Sequence, residues 1–96
     1  MSLISRSTIY PRIRYYRVHF RLFTIVNEQE VFETQAVFRI VNRITPNMAN
    51  VIISSRLLEG TLPEVRKLLR RTRLRCSGRS ITVGYDNVYI VPIFRP

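Results

Sequence analysis

The sequence predicts a small α+β domain: one antiparallel sheet of about four strands in ββααββ order, with two helices packed on one face. Three observations carry that prediction. Apolar and polar residues alternate with period two from Tyr15 to Val26 and again from Val31 to Val41. Apolar residues then recur at helical spacing between Thr45 and Cys76, and the alternation returns after Ser77-Gly78. The 96 residues suit a single domain, 1–96, with residues 1–7 expected to form a disordered basic arm.

The first strand is read from "YYRVHFRLFTIV", Tyr15 to Val26. Tyr16, Val18, Phe20 and Leu22 fall on one side, and Tyr15, Arg17, His19, Arg21 and Phe23 on the other. Such alternation among aromatic and β-branched residues is a strand signal. "NEQE" (Asn27 to Glu30) breaks it and reads as a turn. The second strand, Val31 to Val41, puts Phe32, Ala36, Phe38 and Ile40 on the apolar face. Residues 8–13, "TIYPRI", suggest a short extra edge piece.

Thr45 before Pro46 suits an N-cap followed by proline at the first helical position. Met48, Val51, Ile52, Ser55 and Leu58 then form the expected inward stripe, widened by Ile53 and Leu57, and Gly60 ends the helix. "TLPE" (Thr61 to Glu64) has the Thr-x-x-Glu spacing of a capping box for a second helix. Val65, Leu68, Leu69, Thr72 and Cys76 make its inward face. "RSITVGYDNVYIVPIF" reads as a second hairpin turning at Asp86-Asn87. Pro92 cannot donate to a ladder, so its strand belongs at an edge.

Charge is the most informative compositional feature. The formal net charge is +10, carried by 15 Arg and one Lys against six acids. A domain so basic is expected to meet nucleic acid, an anionic membrane or an acidic protein. Arginine's planar fork suits phosphate contact and stacking better than lysine's point charge. The hydrophobic fraction of 46% is high enough for a packed core and argues against global disorder. The single cysteine, Cys76, excludes an intramolecular disulfide framework and a cysteine-based zinc site. No stretch is apolar enough to span a bilayer as a helix, and the first fourteen residues lack the apolar centre of a secretory signal.

Catalytic chemistry finds little support. His19 is the sole histidine, so no histidine pair exists to bind a metal. Cys76 and His19 are the one combination with nucleophile–base chemistry, and nothing in the sequence draws them together. Each acid has a structural reading, and there is no phosphate-cradling glycine loop. No catalytic, cofactor-binding or metal-ligating residue is assigned, and an enzyme is not expected.

The positive signals are basic. "EVRKLLRRTRLRCSGR" (Glu64 to Arg79) holds six Arg and one Lys, with no acid after Glu64 until Asp86. Like charges at i, i+4, such as Arg66–Arg70 and Lys67–Arg71, cost a few tenths of a kcal/mol per pair in a helix. A merely solvated face would intersperse glutamates, so an anionic partner is expected for Arg66, Lys67, Arg70, Arg71, Arg73, Arg75 and Arg79. Tyr15, Arg17, His19, Arg21 and Arg39 share the sheet's other face, where aromatic and arginine side chains suit stacking on bases and holding phosphates. That same face could instead be a packed dimer layer. Arg12 and Arg14 extend an N-terminal basic stretch that starts at Arg6.

These residues together predict a non-catalytic nucleic-acid-binding protein, RNA favoured over duplex DNA, with low sequence specificity. Its expected setting is intracellular, in the cytoplasm or nucleus of a host cell or associated with a virion, as a viral or mobile-element accessory protein. A homo-oligomer is expected, because a hairpin apolar on both faces offers more surface than two helices can cover. Two alternatives stand beside this reading. One is a self-assembling matrix-type protein on an anionic membrane or nucleocapsid. The other is an adaptor docking on an acidic host protein.

Overall fold

A long hairpin is the frame on which the rest is built. The computed structural model describes residues 12–96; the expected arm at 1–7 and most of the edge piece at 8–13 lie outside those residues. Strand β1 (Ile13–Val26) and strand β2 (Gln29–Ile40) are followed by helix α1 (Pro46–Glu59), helix α2 (Pro63–Arg75) and strand β3 (Thr82–Phe94). The sheet is antiparallel with order β2-β1-β3, so β1 is central. Helix α2 packs on β2 and β1, and helix α1 packs on β3.

Along β1, burial follows the pleat. Val18, Phe20, Leu22 and Thr24 are fully buried beneath the helices, and Val26 nearly so. The odd-numbered residues face away from the helices. The chain reverses at Asn27 and Glu28, both with left-handed φ (52° and 66°), as a two-residue turn that matches strand twist requires. One step further, Ile25 pairs with Glu30 and Thr24 with Phe32, leaving Val31 as an extra residue. This β-bulge keeps Phe32 on the core side and sends Glu30 to the same side as Glu33.

The second hairpin expected at Asp86-Asn87 is not formed: the described residues make three strands in ββααβ order, and Thr82–Phe94 is one continuous strand. What the sequence marks as a turn is a bulge. His19 pairs with Tyr89 but Arg21 pairs with Asp86, so Asn87 and Val88 together oppose Phe20. Asn87 takes a left-handed φ of 53°, a conformation asparagine tolerates at small cost. A turn residue and a bulge residue use the same backbone region, so the sequence signal does not separate them. Pro92 does sit on an edge strand.

Helix α1 begins and ends where expected. Thr45 caps it by accepting from the Met48 amide at 3.2 Å, and Gly60 closes it at φ 68°. Its buried face matches the expected one in part: Ile53 is buried and Ile52 and Leu57 pack against the core, whereas Met48, Val51, Ser55 and Leu58 are exposed. Ala49 is buried as well, while Val51 is 68% and Leu58 90% exposed. The helix is apolar almost all round, so spacing alone leaves two stripes to choose from. The choice is made by Tyr85 of β3, whose hydroxyl lies 3.1 Å from Asn50 Oδ1 and 3.3 Å from Ser54 Oγ.

The expected capping box on α2 is absent. Leu62 is the N-cap and makes no side-chain bond. A capping box needs a free amide at Thr61. That amide already donates to Arg56 O (3.2 Å), and Gly60 N donates to Leu57 O (3.3 Å). These two bonds are the Schellman closure of α1, which consumes the donor that Glu64 would need. The inward face of α2 is as expected, with Val65, Leu68 and Thr72 buried.

Candidate nucleic-acid interface

Helix α2 presents its cations in two rows. Arg66, Arg70 and Arg73 line an outer groove together with Leu69 and Leu74. Lys67, Arg71 and Arg75 lie toward β2, where Arg71 Cζ stands 4.4 Å from the Phe32 ring centroid and Arg75 Cζ 5.8 Å. Stacking on that ring seats Arg71 while leaving its edge donors exposed. Arg79, past the left-handed Gly78, joins Arg75 and Cys76 around a hollow at the β1–β2 turn. The three ion pairs among the described residues all belong to Arg21, so none neutralises this ridge.

Why the ridge forms follows from the helix period. Val65, Leu68 and Thr72 are fixed against the sheet, so positions 66, 67, 70 and 73 point away from it. Arg71 lies at the flank over Phe32, and Arg75, one turn past Thr72 on the same face, reaches the end of the hairpin. Its anchor includes a buried polar pair. Thr72 Oγ1 donates to Leu68 O (2.7 Å) and lies 2.8 Å from Thr24 Oγ1. Thr72 has one hydroxyl proton, already given to Leu68, so Thr24 is the donor between the two hydroxyls.

The sheet residues gather on the opposite side. Arg17 and Arg39 are direct cross-strand partners, and the Tyr15 ring lies 5.8 Å and 5.0 Å from their guanidinium carbons. The His19 ring stacks on Tyr89 with centroids 4.8 Å apart and planes 4° from parallel. Arg12 and Arg14 are exposed at the start of β1, where Arg12 O accepts from Arg95 N at 2.9 Å.

Arg21 differs from the other thirteen candidates. It forks onto Asp86, with Nε to Oδ1 and Nη2 to Oδ2 both 2.8 Å. Its Nη1 reaches Glu33 Oε2 at 2.7 Å and also bonds Glu30. With its side chain only 18% exposed and its donors held by three carboxylates, it has little left for a phosphate. The Phe23 ring lies beneath it at 4.5 Å and spreads over Gly84, where an added Cβ would come within 2.6 Å of the ring.

The bidentate bond from Arg21 lowers the Asp86 carboxyl below its ordinary range. The bonds to Asp86, Glu30 and Glu33 in turn keep Arg21 ionised at every accessible pH. Since folding favours ionised Asp86, its contribution is complete above the ordinary Asp value of about 3.9. The contribution declines below that value and is gone once pH has fallen through the lower folded value. Asp86→Asn is therefore expected to flatten the acid limb of a stability–pH curve measured by urea melts. An unchanged acid limb would place the linkage on other carboxylates.

Arg66, Lys67, Arg70, Arg71, Arg73, Arg75 and Arg79 thus share one surface, and Tyr15, Arg17, His19 and Arg39 share another. The two lie back to back, with the sheet between them. His19 and Cys76 are likewise on opposite sides of the sheet. Phe32 under Arg71, Tyr89 on His19 and Asp86 on Arg21 are partners that sequence reading misses. The last two lie on β3, and reading Asp86-Asn87 as a turn hides their register against β1.

Among the described residues, no helix is long and apolar enough to cross a membrane, and no group of three or more His, Cys, Asp or Glu is placed to hold a metal ion. No family model, no curated protein and no solved structure matches the chain.

Proposed function

We propose that the protein is a non-catalytic nucleic-acid-binding protein that holds RNA, in preference to duplex DNA, along the α2 ridge. The observation that carries this reading is the unneutralised ridge itself: six cations on one helix with no ion-pair partner among the described residues. Phosphate contact offsets the repulsion between them and supplies salt-dependent affinity through counterion release. The ridge carries Arg, Lys and Leu and no Asn or Gln to read adenine, so its recognition is of backbone rather than sequence. The Tyr15–Arg17–Arg39 group is a second, separate cationic surface.

The test uses Arg70→Ala/Arg73→Ala, because Arg71 is seated on Phe32 and its loss would mix folding with binding. Gel shifts with single-stranded RNA, duplex RNA and duplex DNA are expected to weaken irrespective of sequence. The slope of log affinity against log salt should fall by about 0.7 per lost contact on a single strand. The fold should survive, since removing exposed like charges relieves repulsion. Unchanged binding by a folded variant refutes the reading.

A matrix-type structural protein is the second reading, favoured by the exposed Met48, Val51 and Leu58 beside a basic helix. A variant defective only on anionic liposomes would support it. Docking of the ridge on an acidic protein is the third, and retained binding to every nucleic acid and liposome tested would point there.

A further inference from the structure

We propose that the sheet face turned away from the helices is a self-complementary interface on which two copies pack face to face. This inference is independent of the nucleic-acid reading, since it concerns the other side of the molecule. No described element packs on that face. Its charges are sorted to the two ends. At one end Arg17 and Arg39 oppose each other across the strands, an arrangement that destabilises an isolated sheet. At the other, one guanidinium, Arg21, stands among Glu30, Glu33 and Asp86, leaving two net negative charges. Two uncompensated positive charges and two uncompensated negative charges thus sit on one surface.

The order along β1 is Arg17, His19, Arg21, so His19 and its partner Val37 lie midway between the ends. The midpoint is apolar and aromatic: Val37 is 48% exposed, and His19 stacks on a Tyr89 that is 54% exposed. A two-fold axis through the His19–Val37 pair lays the Arg17/Arg39 end of each copy on the Glu30/Glu33/Asp86 end of the other. An isologous contact demands this self-complementarity. The result has an apolar centre and a charged rim. A filament made by strand-edge pairing would leave the sorted charges unmatched.

Three strands about 4.8 Å apart, each contributing roughly eight residues, make a patch about 15 Å by 27 Å. That lies at the small end of specific interfaces, so the dimer is expected to be weak and reversible. High salt should dissociate it further, because its orientation depends on exposed charges.

Charge exchange between two variants tests the geometry, by sedimentation without nucleic acid. Arg17→Glu/Arg39→Glu should be monomeric, and so should Glu30→Lys/Glu33→Lys. An equimolar mixture should recover the dimer, because both ends of a two-fold pair are then complementary again. Circular dichroism checks folding. Should the lysine variant not fold around Arg21, Glu30→Gln/Glu33→Gln replaces it, and weaker self-association than wild type is expected. A wild-type protein that is monomeric at millimolar concentration overturns the proposal. So does a folded Arg17→Glu/Arg39→Glu variant that still dimerises, or two folded charge variants that fail to pair. A monomeric wild type whose RNA affinity falls with Arg17→Glu/Arg39→Glu would assign the face to nucleic acid instead.

Discussion

Phe20→Ala is expected to cost about 3–5 kcal/mol, the range for truncating a fully buried aromatic side chain. A domain of this size has only about 5–15 kcal/mol in total, so a large fraction of the variant should be unfolded under mild conditions. Phe20 has no exposed surface and sits in the central strand. Its ring meets Phe38 of β2 edge-on at 5.9 Å and Tyr85 of β3 at 6.4 Å. Tyr85 in turn holds α1 through Asn50 and Ser54, so the cavity lies where both outer strands and one helix depend on the same ring. Phe20→Leu keeps most of the volume and should remain folded. A urea melt of Phe20→Ala within about 1 kcal/mol of wild type would mean that the neighbours collapse into the gap.

Thr72→Val is expected to destabilise by about 1–3 kcal/mol, although valine matches threonine in shape. The cost comes from Thr24, whose hydroxyl proton is left without its acceptor at a site with no solvent exposure. Thr24→Val should be milder. Thr72 then keeps its bond to Leu68 O and loses only a donor to one of its lone pairs. The double variant should be more stable than Thr72→Val alone, since no buried proton remains unpaired. Thermal or urea melts of the three variants give the order directly. If Thr24→Val proves the more damaging single change, the assigned direction of that hydrogen bond is wrong.

How far the fold is legible depends on whether one signal has one structural meaning. β1 is legible because alternation over Tyr15–Val26 has no competing period, and its buried set follows directly. The ends of α1 are legible because Thr45, Pro46 and Gly60 act through their own backbone geometry. The face of α1 is legible only in part, since Met48, Val51 and Leu58 are as apolar as Ala49 and Ile53, and Tyr85 on β3 decides between them. Asp86-Asn87 is ambiguous for a related reason: a left-handed asparagine serves a turn or a bulge, and only pairing with β1 selects the bulge. Of the candidate site, the α2 ridge is visible from helical spacing and charge. The fate of Arg21 is not, because its partners come from two different strands, and two of them, Glu30 and Asp86, reach it through bulges.

Both helices lie on one side of the sheet, and that asymmetry sets how many ligands an assembled particle engages and from which directions. If bare faces meet, the helix layers become the two outer poles, and the α2 ridges point away from each other. One short oligonucleotide then cannot lie along both ridges, so each dimer is a two-ended clamp that joins separate strands or distant parts of a long one. Joining raises apparent affinity for long chains without any new contact, through the high local concentration of the second site. If the ridges hold nucleic acid as proposed, such a dimer crosslinks and compacts it rather than coating it as a bead.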